Sequence, residues 1–181
     1  NSLDMLLQLS FIGITIVTLL CLYFATGKAK APVTIFTCWA ALVAVLAYLG
    51  FYESTASPDL PPGMASVLLP SVALVFFLYR TIDAKQLSLS WLFGLHTVRI
   101  PVELVLYGLF LEGLVPEIMT FTGWNYDILS GILALLLLLG LVIKGNLPKQ
   151  LIYAWSVVGL GLLAIILVTA ILSIPSPIQH L

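Results

Sequence analysis

Long apolar runs separated by short polar or turn-forming segments make up most of this chain. About 20 apolar residues in a helix cross the hydrocarbon core of a bilayer, and the pattern contains six runs of roughly that length. The predicted spans are residues 3–25, 33–52, 64–79, 89–114, 128–143 and 151–174. The sequence therefore predicts an all-α, polytopic membrane protein with short loops, in which residues 1–181 form a single six-helix transmembrane domain.

Two of the connecting segments are rich in turn formers. Residues 53–63 contain Ser, Pro, Asp and Gly, and they are predicted to form a loop. Residues 115–127 interrupt the apolar pattern with Pro, Gly and polar residues, while Trp124 and Tyr126 suit the headgroup level of a membrane. This second segment is expected to be an interfacial loop or a short re-entrant turn.

Composition supports a membrane location. Hydrophobic residues make up 61% of the chain and charged residues 8%, whereas soluble domains have about 45–50% and 25%. The few basic residues are scattered, so nucleic-acid binding is not predicted. Cys21 and Cys38 lie within apolar runs, where a small buried hydrophobe is favoured over a disulfide.

The charges alternate between the two sides of the predicted topology. Six of the seven basic residues follow spans one, three and five: Lys28, Lys30, Arg80, Lys85, Lys144 and Lys149. Apart from Asp83, the loop acids fall on the opposite side. Because cytoplasmic loops carry excess Lys and Arg, both termini are predicted to lie on the non-cytoplasmic side.

The seventh basic residue, Arg99, lies inside the fourth span. Counted from the cytoplasmic end at about 1.5 Å per residue, it is roughly 16 Å deep, near the middle of the bilayer. His96, Glu103 and Tyr107 share its helical face, because they lie three, four and eight positions away. Ionisable groups within a membrane are costly and usually functional. These four residues are the predicted ligand-binding site, with Glu103 as the expected partner of Arg99.

Pro101 adds a kink to this site. A proline inside a helix cannot donate to the carbonyl four residues earlier, here that of Thr97. The freed carbonyl predicts a polar, partly hydrated pocket beside the fourth helix. A possible outer rim of that pocket consists of Glu112, Glu117, Trp124, Asn125 and Asp127.

The fifth span, 128–143, contains almost only Leu, Ile, Ala and Gly. No face of it is chemically distinguished, so broad contact with lipid is predicted.

Enzymatic chemistry is not predicted. The chain has no catalytic signature or phosphate-binding glycine loop, and His180 is predicted to lie across the membrane from His96. No catalytic residue, metal site or cofactor is therefore expected.

Several functions remain open on the sequence alone. The leading hypothesis is a non-enzymatic membrane protein whose His/Arg/Glu site binds a small anionic or amphipathic molecule, a lipid or a partner helix. One alternative is a small proton- or cation-coupled transporter or channel that uses Glu103 and works as a homo-oligomer. Another is an accessory or scaffold subunit of a larger membrane complex. The polar residues also suit a purely structural pair that fixes helix register.

One part of the chain resembles a group of proteins. Residues 96–129, which include the run from Arg99 to Glu103, Pro116-Glu117 and the run from Met119 to Ile128, are similar to uncharacterised multi-pass bacterial inner-membrane proteins. The resemblance implies a bacterial inner-membrane origin. It also suggests that the loop ending at Asp127 belongs with Arg99 and Glu103, so that Asn125 and Asp127 cap the fifth span and Trp124 covers the mouth of the pocket.

Overall fold

The computed structural model describes residues 2–52 and 62–172, and this part of the chain is all-helical. Two short 3₁₀ turns, Ala84–Gln86 and Glu117–Met119, lie in the connections. The α-helices of the described residues are α1 Ser2–Ala25, α2 Lys30–Tyr48, α3 Pro62–Thr81, α4 Leu89–Thr97, α5 Arg99–Leu111, α6 Asp127–Lys144 and α7 Lys149–Leu172.

Within residues 2–52 and 62–172, five helical stretches are long and apolar enough to cross a membrane. They are Met5–Ala25, Lys30–Tyr48, Leu89–Leu111, Asp127–Lys144 and Lys149–Thr169. The predicted third span corresponds to α3, whose apolar stretch, Pro70–Thr81, is shorter than a span. Residues 53–61 of the predicted loop lie outside the described residues, as do the last residues of the predicted sixth span and His180. The last two residues of that loop, Pro62 and Gly63, instead begin α3.

The predicted kink in the fourth span is a break between two helices. α4 ends at Thr97 and α5 begins at Arg99, with Val98 between them. Pro101 has no N–H to bond the Thr97 carbonyl, and the helical pattern resumes where Val102 donates to the Val98 carbonyl at 3.2 Å. The Thr97 hydroxyl donates back to the Phe93 carbonyl at 2.9 Å, a contact that often bends helices.

α6 lies at the centre of the helix packing, against α4, α5 and α7. Its buried side follows helical spacing and consists mostly of small residues: Asp127, Ser130, Gly131, Ala134 and Leu137. Small residues let neighbouring helices approach closely. The prediction that this span has no distinguished face is therefore wrong, because a short polar and small-residue stripe is hidden among its leucines.

The loops that follow α1 and α3 meet. The Ser88 amide donates to the Ala25 carbonyl at 2.9 Å. Gly27 has a φ of +66°, and a Cβ added there would lie 2.9 Å from the Gln86 carbonyl oxygen. Only glycine combines this left-handed backbone with so close an approach. The two connections are thus held at one end of the molecule.

Candidate functional site

The segment between α5 and α6, residues 112–126, folds back along α5, and we call it the return segment. α5 ends at Leu111, yet α6 begins with Asp127 beside Arg99, at the other end of α5. Twelve residues of helix separate Arg99 from Leu111, a distance of about 18 Å. The return segment therefore carries the chain back over the length of α5, as the re-entrant alternative predicted.

Each side chain of the predicted polar face contacts a side chain from the return segment, α6 or α7. We call this row of four pairs the polar ladder. In order along the fourth span the pairs are His96 with Trp155, Arg99 with Asp127, Glu103 with Asn125, and Tyr107 with Phe121.

Asp127, not Glu103, is the partner of Arg99. The Arg99 guanidinium donates through Nη1 to Asp127 Oδ1, and both side chains are largely buried. Sequence spacing favoured Glu103 because it lies one turn away on the same helix. Asp127 is the first residue of α6, where the N-terminal end of the helix dipole favours a negative charge. The arginine charge is thus balanced by a residue 28 positions away.

Glu103 is bound by a neutral amide. Asn125 Nδ2 donates to Glu103 Oε1 at 2.8 Å and to Oε2 at 2.9 Å. The same nitrogen also donates to the Met119 carbonyl at 2.9 Å, while Asn125 Oδ1 accepts from the Asp127 amide at 3.2 Å. Glu103 and Asn125 are each only 2% exposed. One amide therefore joins α5, the return segment and the start of α6.

Aromatic contacts close both ends of the polar ladder. The His96 and Trp155 rings meet edge to face, with centroids 4.7 Å apart, and Trp155 Nε1 donates to the Ser130 carbonyl at 3.3 Å. At the other end the Tyr107 and Phe121 rings lie 5.0 Å apart. Ring contacts therefore flank the Arg99–Asp127 and Glu103–Asn125 pairs on both sides along the fourth span.

Two glycines make the close approach possible. A Cβ on Gly131 would lie 3.0 Å from Ile100 Cγ1 and 3.2 Å from Arg99 Cβ. In the return segment, a Cβ on Gly123 would lie 2.4 Å from the Glu117 carbonyl oxygen. The absence of a side chain at Gly131 lets α6 approach α5, and its absence at Gly123 lets the return segment fold tightly on itself.

The residues expected at an outer rim divide into two groups. Asn125 and Asp127 are buried within the ladder, whereas Glu117 is exposed and Trp124 is 63% exposed. Glu112 follows the end of α5 and is half-buried. Asn125 meets the start of α6 through its bond to the Asp127 amide, although the N-cap position itself is occupied by Tyr126. The ladder is thus an interior site, and the exposed residues lie outside it.

The ladder contains more acid than base. Glu103 and Asp127 are both buried, and Arg99 is the only Lys or Arg among its eight residues. With both acids ionised and His96 neutral, one negative charge is left uncompensated. Within the described ranges 2–52 and 62–172, no group of three or more His, Cys, Asp or Glu side chains is placed to hold a metal ion. The arrangement suits a proton or a singly charged cation better than a multivalent metal.

Phe121, Trp155 and Gly131 were not predicted from the sequence. For the two aromatic residues a single sequence carries no signal, because aromatic side chains are common in apolar helices and at membrane interfaces. For Gly131 a signal existed in the spacing of Ser130, Gly131 and Ala134 behind Asp127. Comparison with known proteins adds no further constraint, since no protein-family model, curated protein or solved structure matches this chain.

Proposed function

We propose that this chain is a non-enzymatic integral membrane protein that binds a proton or a small monovalent cation at Glu103, as a proton- or cation-coupled transporter or channel does. The observation that carries the proposal is the excess of buried acid in the polar ladder, where Glu103 and Asp127 face the single arginine, Arg99. Burying an uncompensated charge in apolar surroundings costs much free energy. Uptake of one positive charge removes that cost.

The proposed membrane topology has six spans, with α3 as the third and with both termini on the non-cytoplasmic side. Five apolar helices in the described part of the chain support insertion in the bilayer. The contact between Gly27 and Gln86 supports one common side for the loops after α1 and α3, and both of these loops carry basic residues. The resemblance of residues 96–129 to bacterial proteins supports the bacterial inner membrane as the location.

The proposed partners are the lipid bilayer and further copies of the chain. A few short helices enclose little volume, so a homo-oligomer suits a transport pathway better than a single copy does. Native mass spectrometry of the gently extracted protein reads the oligomeric state, bound lipid and any larger complex together. Recovery of a stable monomer would weaken both the homo-oligomer and the accessory-subunit hypothesis.

An anionic or amphipathic ligand at Arg99 stays a prediction that the ladder geometry disfavours. The Arg99 guanidinium is already paired with Asp127, so a ligand anion would have to displace that carboxylate. Such a ligand would bind more tightly to an Asp127→Asn variant, in which the arginine is freed. A proton or cation site at Glu103 predicts no such gain.

The experiment is proton flux into proteoliposomes that enclose a pH-sensitive dye, driven by a pH gradient or by gradients of Na⁺ and K⁺. Glu103→Gln should abolish the flux, because glutamine has the same shape but takes up no proton. Glu117→Gln is the matched control, since Glu117 is exposed on the return segment, and it should leave flux unchanged. Equal flux in the wild type and Glu103→Gln would sink the proposal.

A further inference from the structure

The bonds of Asn125 depend on the charge state of Glu103. An ionised carboxylate only accepts hydrogen bonds, and Asn125 Nδ2 donates to both of its oxygens. A protonated carboxyl presents an O–H on one oxygen and a weaker acceptor on the other. The bond then changes from charge-assisted to neutral, and neutral bonds are roughly half as strong. The observed arrangement is therefore matched to ionised Glu103.

The same geometry distinguishes between a proton and a metal cation as the species that binds Glu103. Hard metal cations need several oxygen ligands around them. At Glu103 both oxygens face the Asn125 amide nitrogen, within 2.9 Å. The partial positive charge of that N–H₂ group repels a cation but leaves room for a proton on either oxygen. The geometry favours a proton.

We propose that the species exchanged at Glu103 is a proton and that its arrival releases the return segment from α5. The inference rests on the proposed function, because it takes Glu103 as the exchanging group. The proton comes from a hydronium ion of the aqueous phase. One O–H bond of hydronium breaks, an O–H bond forms on one carboxylate oxygen, and a water molecule leaves. The hydrogen bonds from Asn125 to Glu103 weaken, and the segment that carries Asn125 loses its polar tie to α5.

The charged groups around Glu103 set the pH dependence of this step. On its own helix Arg99 lies one turn earlier, and on α6 Asp127 is paired with that arginine. The 3₁₀ turn that packs on α5 carries Glu117, which is exposed, and α4 carries His96 against Trp155. The described side chains of α1, residues 5–25, include no Asp, Glu, Lys, Arg or His. The Arg99 charge is therefore balanced by Asp127, so it does little to stabilise the ionised form of Glu103.

Release of Asn125 leaves the return segment with a weaker hold on α5. One contact that survives is the apolar one between Tyr107 and Phe121. Trp124 and Tyr126, on either side of buried Asn125, are already exposed. Thr120, at the start of this stretch, is buried, and backbone hydrogen bonds inside the stretch protect the amides of Gly123, Trp124 and Asn125. The Asn125 side chain is the polar tie of this stretch to α5, so weakening that tie lets these backbone hydrogen bonds open more often.

The test is hydrogen–deuterium exchange, read by mass spectrometry on the full-length protein in lipid nanodiscs. Uptake is measured for peptides covering 117–127 at mildly alkaline and mildly acidic pH and corrected for the intrinsic pH dependence of amide exchange. In the wild type the corrected exchange should rise about tenfold on acidification, the expected effect of losing a charge-assisted hydrogen bond. In Glu103→Gln and Asn125→Ala it should be high at both pH values, while Glu117→Gln should behave as the wild type.

The exchange measurements test the release of the return segment, and the flux measurements test the proposed function. Wild-type exchange in 117–127 that is independent of pH overturns the release of the return segment, even if neither variant folds. The release is also overturned if residues 117–127 of Glu103→Gln are as protected from exchange as those of the wild type at both pH values. If proton flux still depends on Glu103 in either case, the proposed function stands and only this inference fails. Flux that is equal in the wild type and Glu103→Gln would overturn both.

Discussion

Asn125 donates its side-chain amide to both carboxylate oxygens of Glu103, at 2.8 and 2.9 Å, across a reversal of the chain that separates the two residues by 22 positions. Neither residue is exposed to more than a trace of solvent. A buried carboxylate needs donors, and among the described residues the side-chain donor is Asn125. The contact therefore makes the return segment part of the buried core.

Replacing Asn125 by alanine should destabilise the protein by about 1–3 kcal/mol, because it leaves the buried Glu103 carboxylate without its donor. Asn125→Asp should cost more, since it adds a third acid beside Glu103 and Asp127. The check is thermal unfolding of the purified protein in detergent. Asn146→Ala is the control, because Asn146 is exposed in the turn after α6, and it should change stability little. An Asn125→Ala variant as stable as the control would contradict the contact.

Arg99 and Asp127 should show strong coupling in a double-mutant cycle. Arg99→Gln and Asp127→Asn each break a largely buried pair and should cost about 3–5 kcal/mol. The double variant should lose less than the sum of the two, by about 1–3 kcal/mol, because neither charge is then left unpaired. Arg80→Gln serves as the control, since Arg80 is exposed and lies over the Phe76 ring. Additive losses in the cycle would mean that the pair does not form.

Gly131 should tolerate a methyl group poorly. In Gly131→Ala the new Cβ would lie 3.0–3.2 Å from atoms of Ile100 and Arg99, so α5 and α6 must separate slightly, at a cost of about 1–3 kcal/mol. Gly161→Ala is the matched control, because nothing lies within 4 Å of a Cβ there and alanine favours a helix by up to about 1 kcal/mol. Thermal unfolding should show opposite signs for the two variants. A loss of stability in both would point to a general effect of glycine replacement.

Trp155 should stabilise the folded protein more through the packing of its ring than through the hydrogen bond of its indole N–H. Trp155→Phe keeps an aromatic contact with His96 and Phe93 but removes the bond to the Ser130 carbonyl, which should cost about 1 kcal/mol. Trp155→Ala removes the ring as well and should cost about 3–5 kcal/mol. Equal losses in the two variants, measured by thermal unfolding, would show that the ring packing at this end of the ladder contributes nothing.

The helices of this fold follow from local pattern, whereas the ladder does not. Apolar runs of bilayer length predict α1, α2, α6 and α7, because each run must satisfy its own backbone hydrogen bonds. The Pro101 break is also local, since it follows from one missing N–H. α3 is the exception, because the helix has 20 residues but its described apolar stretch is only Pro70–Thr81.

Within the candidate site, sequence spacing predicts one side of each pair and not the other. His96, Arg99, Glu103 and Tyr107 share a face because helical geometry fixes that face. Their partners lie 14 to 59 positions away along the chain, and only chain reversal brings them close. The expected Arg99–Glu103 pair failed for this reason, since local spacing carries no information about Asp127.

The most direct test of the account is infrared difference spectroscopy of the protein in lipid on acidification. Protonation of a buried carboxylate produces a C=O stretching band that is distinct from those of exposed acids. If Glu103 takes up the proton, this band appears in the wild type and in Glu117→Gln and is lost in Glu103→Gln. Identical difference spectra in the wild type and Glu103→Gln would contradict proton uptake at Glu103.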